Sequence, residues 1–203
     1  MKFLYTTNSP YARKARIVAI EKHVDIELQS VVLTDPDCPV KNYNPLGKVP
    51  VLIMDDGDSL YDSSVIAEFL DHRTPVAHLM PLDNTGKITV RRWEALAGGV
   101  CDAAVAMMLE QRKAIEQQDP DFIIKQLDKV KRGLSVLNLD LTGKKWCVNE
   151  TFGLADIAVG CTLGYLDLRF KALNLLAEHP QLVKLNAALV QRASFKDTMP
   201  KAN

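Results

Sequence analysis

Short apolar runs broken by polar residues fill the first 75 positions, and long stretches of helical period follow them. Lys2 to Tyr5 is a brief apolar run that Thr6 to Ser9 interrupt. Pro10 can then open a helix at its first position, where an N–H would be unpaired anyway. Ala12, Ala15, Val18 and Ala19 give that helix a face of small residues. Ile26 to Leu33 reads as a second strand. Asp35 to Asn44, punctuated by Pro36 and Pro39 and followed by Pro45, reads as a loop with at most a short helix. Val51 to Met54 and Ser59 to Tyr61 flank Asp56-Gly57, a hairpin signal because tight turns between antiparallel strands need positive φ. Asp62 and Ser63 open a further helix carrying Val65, Ile66, Phe69 and Leu70. The predicted order is β-α-β, a loop, then β-β-α.

From Pro75 to Thr85 the chain turns loop-like, and everything after it follows helical spacing. Trp93, Leu96, Ala97, Val100, Ala104, Met107 and Met108 recur on one face, as do Ile123, Leu127, Val130, Leu134, Leu137 and Leu141. Asp119-Pro120 separates the two stretches, which should pack as an antiparallel hairpin. A third helix is expected from about Leu154 to Phe170, and a fourth after His179-Pro180. The expected organisation is an α/β unit at 1–75, a linker at 76–85 and an all-helical unit at 86–203.

Composition narrows the partners. Of 203 residues, 47% are hydrophobic, enough for a sizeable core. Twenty-five basic residues balance 25 acidic ones without a basic stripe, which argues against nucleic acid. No apolar run approaches the roughly 18 residues that cross a bilayer, and the N-terminus lacks the apolar stretch of a signal peptide. A soluble, cytoplasmic protein is expected. Cys38, Cys101, Cys147 and Cys161 form no C-x-x-C pair and no zinc pattern, so free thiols are expected and no metal.

Three local features carry the chemistry. Asn8-Ser9-Pro10 puts a hydroxyl at a helix N-terminus, where free N–H groups and the helix dipole favour an anion; taken alone, the local sequence favours Ser9 as a plain cap. Gly47-Lys48-Val49-Pro50 precedes a strand. An X-Pro bond there can be cis and turn the main chain of Val49 outward to pair with an extended peptide, or Pro50 can be an ordinary strand-entry proline. Asp62-Ser63 offers a carboxylate for an ammonium and a hydroxyl with N–H groups for a carboxylate, or simply a cap.

In order and spacing these features resemble the glutathione transferase superfamily. The matching stretches are SPYARKARI, NPLGKVPVL, DGDSLYDSSVIAEFL and, in the helical part, FGLADIAVG, so the resemblance spans nearly the whole chain. It looks closest to small bacterial transferases with a T-S-P-F active-site loop. The resemblance implies a thioredoxin-like α/β domain at 1–75 followed by an all-α bundle, with glutathione as cosubstrate and no metal. It implies a cis Val49–Pro50 bond, Val49 pairing with the cysteinyl part of glutathione, Asp62 and Ser63 at the γ-glutamyl end, and a contact from Lys48. Asp62 stands where relatives often carry Glu. Gly153 stands where they carry a capping Ser or Thr, leaving Asp156 a structural role.

The implied reaction is attack of the glutathione thiolate on a small hydrophobic electrophile, with Ser9 as the donor to sulfur and Asn8 and Thr7 as alternatives. Tyr5 and Tyr11 are not expected to take that part. Trp93, Met107, Met108, Arg112 and Tyr165 are candidates to line the electrophile pocket, or core residues. A homodimer is implied. The alternatives are a non-catalytic binding or scaffold protein on the same frame, and another glutathione-dependent enzyme such as an isomerase, peroxidase or dehalogenase.

Overall fold

Strands β1 (Lys2–Tyr5), β2 (Glu27–Ser30), β3 (Val51–Ile53) and β4 (Ser59–Leu60) form one sheet in the computed structural model, which describes residues 1–75 and 78–200. The spatial order is β2-β1-β3-β4. β1 and β2 are parallel, which requires a crossover, and helix α1 (Pro10–Glu21) supplies it. β3 runs antiparallel to β1 and makes a hairpin with β4, where Gly57 takes φ +93° at the turn.

β2 is shorter than the predicted strand because β1 offers only four partners, from Lys2↔Glu27 to Tyr5↔Ser30. Val32 and Leu33 lie beyond that ladder and are exposed. The loop predicted at 35–44 contains one short helix, α2 (Val40–Tyr43). Successive side chains of β1 point to opposite faces. Phe3 joins the core under α1 and helix α3 (Ser63–Asp71), while Leu4 packs with Val31, Val40 and Val51 on the other side.

Helices α4 (Asn84–Glu110), α5 (Pro120–Asp140), α6 (Leu154–Phe170), α7 (Pro180–Leu189) and α8 (Ala193–Asp197) make the rest. Asp83 caps α4 by accepting from Gly86 N at 2.7 Å, and Asp119 caps α5 by accepting from Phe122 N at 3.0 Å. α4 and α5 form the expected hairpin, with Gly133 so close to α4 that a Cβ there would lie 2.2 Å from Val100. α6 is apolar nearly all round and is buried between α1, α4 and α7.

One buried ion pair ties the α/β part to the helical part, and a second, inside the α/β part, holds the connecting segment. Lys14 on α1 donates to Glu94 on α4 at 3.1 Å and to Ser64 on α3 at 3.0 Å. Lys22, fully buried, meets Asp71 at 3.2 Å, and Asp71 also accepts from Leu79 N and Met80 N at 2.8 and 3.2 Å. The carbonyl of Leu79 in turn accepts from Leu154 N at 2.9 Å. Residues 76–77, at the start of the expected linker, and 201–203, at the end of the expected helical unit, lie outside the described residues. No helix among the described residues is long and apolar enough to cross a membrane.

Candidate functional site

The sheet register brings the three predicted features to one edge. Because Leu4 pairs with Val51, the end of β1 lies beside the start of β3, so the 6–9 turn and the Val49–Pro50 peptide are neighbours. Because β4 runs antiparallel to β3, its end at Leu60 reaches the same edge, and the chain there enters α3 through Asp62. Two helix N-termini and one strand entry therefore meet at one edge of the sheet.

Ser9 is the N-cap of α1; its Oγ accepts from Ala12 N at 3.2 Å, which leaves the hydroxyl proton to donate. The first turn of α1 holds no acidic residue, so the positive end of its dipole is not cancelled locally. Asp62 is the N-cap of α3 and accepts from Ser64 N at 2.9 Å, while Ser63 behind it is buried. A carboxylate has about four acceptor positions, so one capping bond leaves Asp62 able to take an ammonium as well. The Val49–Pro50 bond is cis. Lys48 is exposed, and its main-chain carbonyl accepts from Asn44 Nδ2 at 2.9 Å.

Asn44 is a residue that sequence reasoning passed over. It is buried, it accepts from Leu46 N at 3.0 Å, and with the Lys48 contact it pins both ends of the 45–48 turn, in which Gly47 takes φ +62°. The signal was Asn44-Pro45 ahead of Gly47, since Asn readily bonds the backbone two residues on.

The candidates for the electrophile side separate in the structure. Trp93 and Met107 are core residues, almost fully buried. Met108 is half-buried against that core, Arg112 is exposed just past α4, and Tyr165 is buried. Tyr11, two residues beyond Ser9, donates its hydroxyl to Asp102 on α4, so its oxygen is engaged by the helical part. Burial, together with the Asp102 carboxylate that accepts its proton, holds the Tyr11 hydroxyl well above the usual phenol range. Tyr5 stacks on Phe3 and carries the Arg16 guanidinium over its ring at 4.8 Å.

The cysteines are free. Cys101, Cys147 and Cys161 are buried, and burial pushes the Cys161 thiol up to about 11. No group of three His, Cys, Asp or Glu that could hold a metal occurs among the described residues. At the α6 start, Asp156 accepts from Gly153 N at 2.9 Å and Cys147 N at 2.8 Å. Burial raises the pKa of its carboxyl even against these bonds.

Residues 4–78 match the family model "Glutathione S-transferase, N-terminal domain" and residues 102–184 match "Glutathione S-transferase, C-terminal domain". The chain is 36% identical to the uncharacterized GST-like protein YibF of Escherichia coli K12, over 98% of each chain. A glutathione S-transferase from Methylobacillus flagellatus KT, solved with GSH bound, is 60% identical at TM-score 0.96, covering 98% of this chain and 99% of that one. One from Methylobacterium radiotolerans, solved in complex with glutathione sulfonate, is 38% identical at TM-score 0.94, covering 100% and 95%.

Proposed function

Because the chain belongs to the glutathione S-transferase family, we propose that it binds glutathione along the shared edge of Ser9, Val49 and Asp62 and conjugates its thiolate to small hydrophobic electrophiles. The observation that carries this reading is the convergence of two helix starts and the strand entry at Val49 on one edge of the sheet, together with the ligands held by the two solved relatives.

In this reading the main chain of Val49 pairs with the cysteinyl unit, and Pro50 fixes its direction. Asp62 takes the γ-glutamyl ammonium, Ser63 and the α3 N–H groups take the carboxylate beside it, and Lys48 adds a contact from the loop. A free thiol ionises near pKa ~8.5. The Ser9 hydroxyl and the α1 dipole stabilise the thiolate and lower that value. The sulfur lone pair then bonds the electrophilic carbon, and the leaving group departs with its bonding pair. The α/β unit at 1–75 serves glutathione, the helical unit at 86–203 faces the electrophile, and 76–85 links them. The working form is a cytoplasmic homodimer, of the Ser-type subclass.

Two measurements test this. Calorimetry with glutathione should give saturable binding at or below millimolar concentration, and 1-chloro-2,4-dinitrobenzene should be turned over. Binding without turnover of any electrophile would establish the scaffold reading instead, and no binding at all would overturn both.

A further inference from the structure

Tyr165 lies on α6 and is only 4% exposed, yet its hydroxyl has no hydrogen-bond partner among the described residues. Leaving such a group buried and unpaired is costly. Arg169 is one turn further along α6 on the same face, and its own Nε is buried and unpartnered. Burial raises the Tyr165 pKa, while Arg169 and Arg112 pull it down. Arg169 approaches it without closing a hydrogen bond of full geometry. Arginine has donors and no acceptor, so neither cation can take the tyrosine proton. The carboxylate of this corner, Asp102, accepts from Tyr11. What is left is a surplus of donors and positive charge.

The corner lies beside the start of α1: Tyr11 bonds Asp102 on α4, and Thr162 on α6 bonds the Ala97 carbonyl on α4. Cys101 lies within electrostatic reach of Tyr11 and of Tyr165, and Tyr11 is two residues from Ser9. α6 packs against both α1 and α4. We propose that the Tyr165 hydroxyl, Arg169 and Arg112 form an anion subsite on the electrophile side of the glutathione site, so that the second substrate is an electrophile bearing a carboxylate. The inference rests on the glutathione reading above and adds to it the charge class of the partner molecule. The carboxylate takes the Tyr165 proton in a hydrogen bond and pairs with the guanidinium groups, while the thiolate attacks a carbon further along the same molecule.

The test uses binding, so it does not depend on turnover. Calorimetry compares S-(carboxyalkyl)glutathiones of increasing chain length with S-alkylglutathiones of matched length. At the best length the carboxylate compound should bind about tenfold tighter or more, as a charge-assisted contact implies. Tyr165→Phe and Arg169→Gln should each shrink that ratio several-fold. Tyr165→Phe should fold with an unchanged or raised Tm, since it deletes an unpartnered polar atom. A ratio near one at every length, or a ratio that neither variant alters, overturns the proposal and assigns the hydroxyl to a buried water. If glutathione binds and the ratio is one, only this inference fails; if glutathione itself does not bind, the reading beneath it fails too.

Discussion

The Ser9 oxygen accepts the Ala12 N–H and still has a proton to give, so capping and thiolate stabilisation can be separated by substitution. Ser9→Ala removes both and should cost about 1 kcal/mol of stability, whereas Ser9→Gly keeps most of the cap energy. Turnover should fall tenfold or more in both variants. Thermal melts beside a conjugation assay read the two effects, and full activity in Ser9→Gly would remove the hydroxyl from catalysis. Asp62 poses the same problem with charge. Asn caps as well as Asp, so Asp62→Asn should leave the Tm nearly unchanged while glutathione binds about 2 kcal/mol more weakly by calorimetry. Unchanged affinity would leave Asp62 as a cap alone. These positions were legible in the sequence because Ser-Pro and Asp-Ser mark helix starts by local chemistry. Tyr165 was legible only as a residue of helical period. That its hydroxyl is unpartnered depends on Arg169, one turn away, and on Arg112, far away in sequence, and no local pattern carries that.

At the level of elements, the helices were read closely because an apolar stripe must face a core wherever the helix lies. Strand lengths were overread, since a ladder ends where its neighbour ends, and β1 stops at Tyr5. Gly153 shows a second kind of information that one sequence hides. It reads as a cap lacking its hydroxyl, but a Cβ there would lie 2.6 Å from the Leu79 carbonyl. Restoring the hydroxyl should therefore fail. Gly153→Ser is expected to lower stability by about 1–3 kcal/mol, the range for forcing atoms into a packed site, where adding a capping group ordinarily helps. A chemical-denaturation midpoint that rises in this variant would contradict the close approach.

Across the whole molecule, the end of α1 is latched to the C-terminal helices. Glu21 accepts from Arg192 at 2.9 and 2.7 Å and from Ser194 at 2.5 Å, and the Arg192 guanidinium lies 3.6 Å from the Phe152 ring centre. Partial burial alone would raise the Glu21 pKa, but Arg192 and Ser194 outweigh it and hold the carboxyl below the usual range. A carboxyl depressed in the folded state stabilises above its unfolded pKa, near ~4.3, and that stabilisation is lost as pH falls through the folded value. The Arg192 side of the pair is about one-third exposed, so screening keeps the latch to about 1 kcal/mol or less. A Tm-against-pH series should show wild type losing stability more steeply below about pH 4.3 than Arg192→Met, and parallel curves would show that Glu21 titrates normally.

The grip on Leu79 and Met80 has an engineering consequence. Their amides are held by Asp71 at the end of α3, and the Leu79 carbonyl is held by Leu154 at the start of α6. A chimera that joins the front half of this chain to the back half of a cousin inherits half of each contact. The splice succeeds only where the donor brings a residue as slim as Gly153 and the recipient keeps the Lys22–Asp71 couple, so these halves are not interchangeable cassettes.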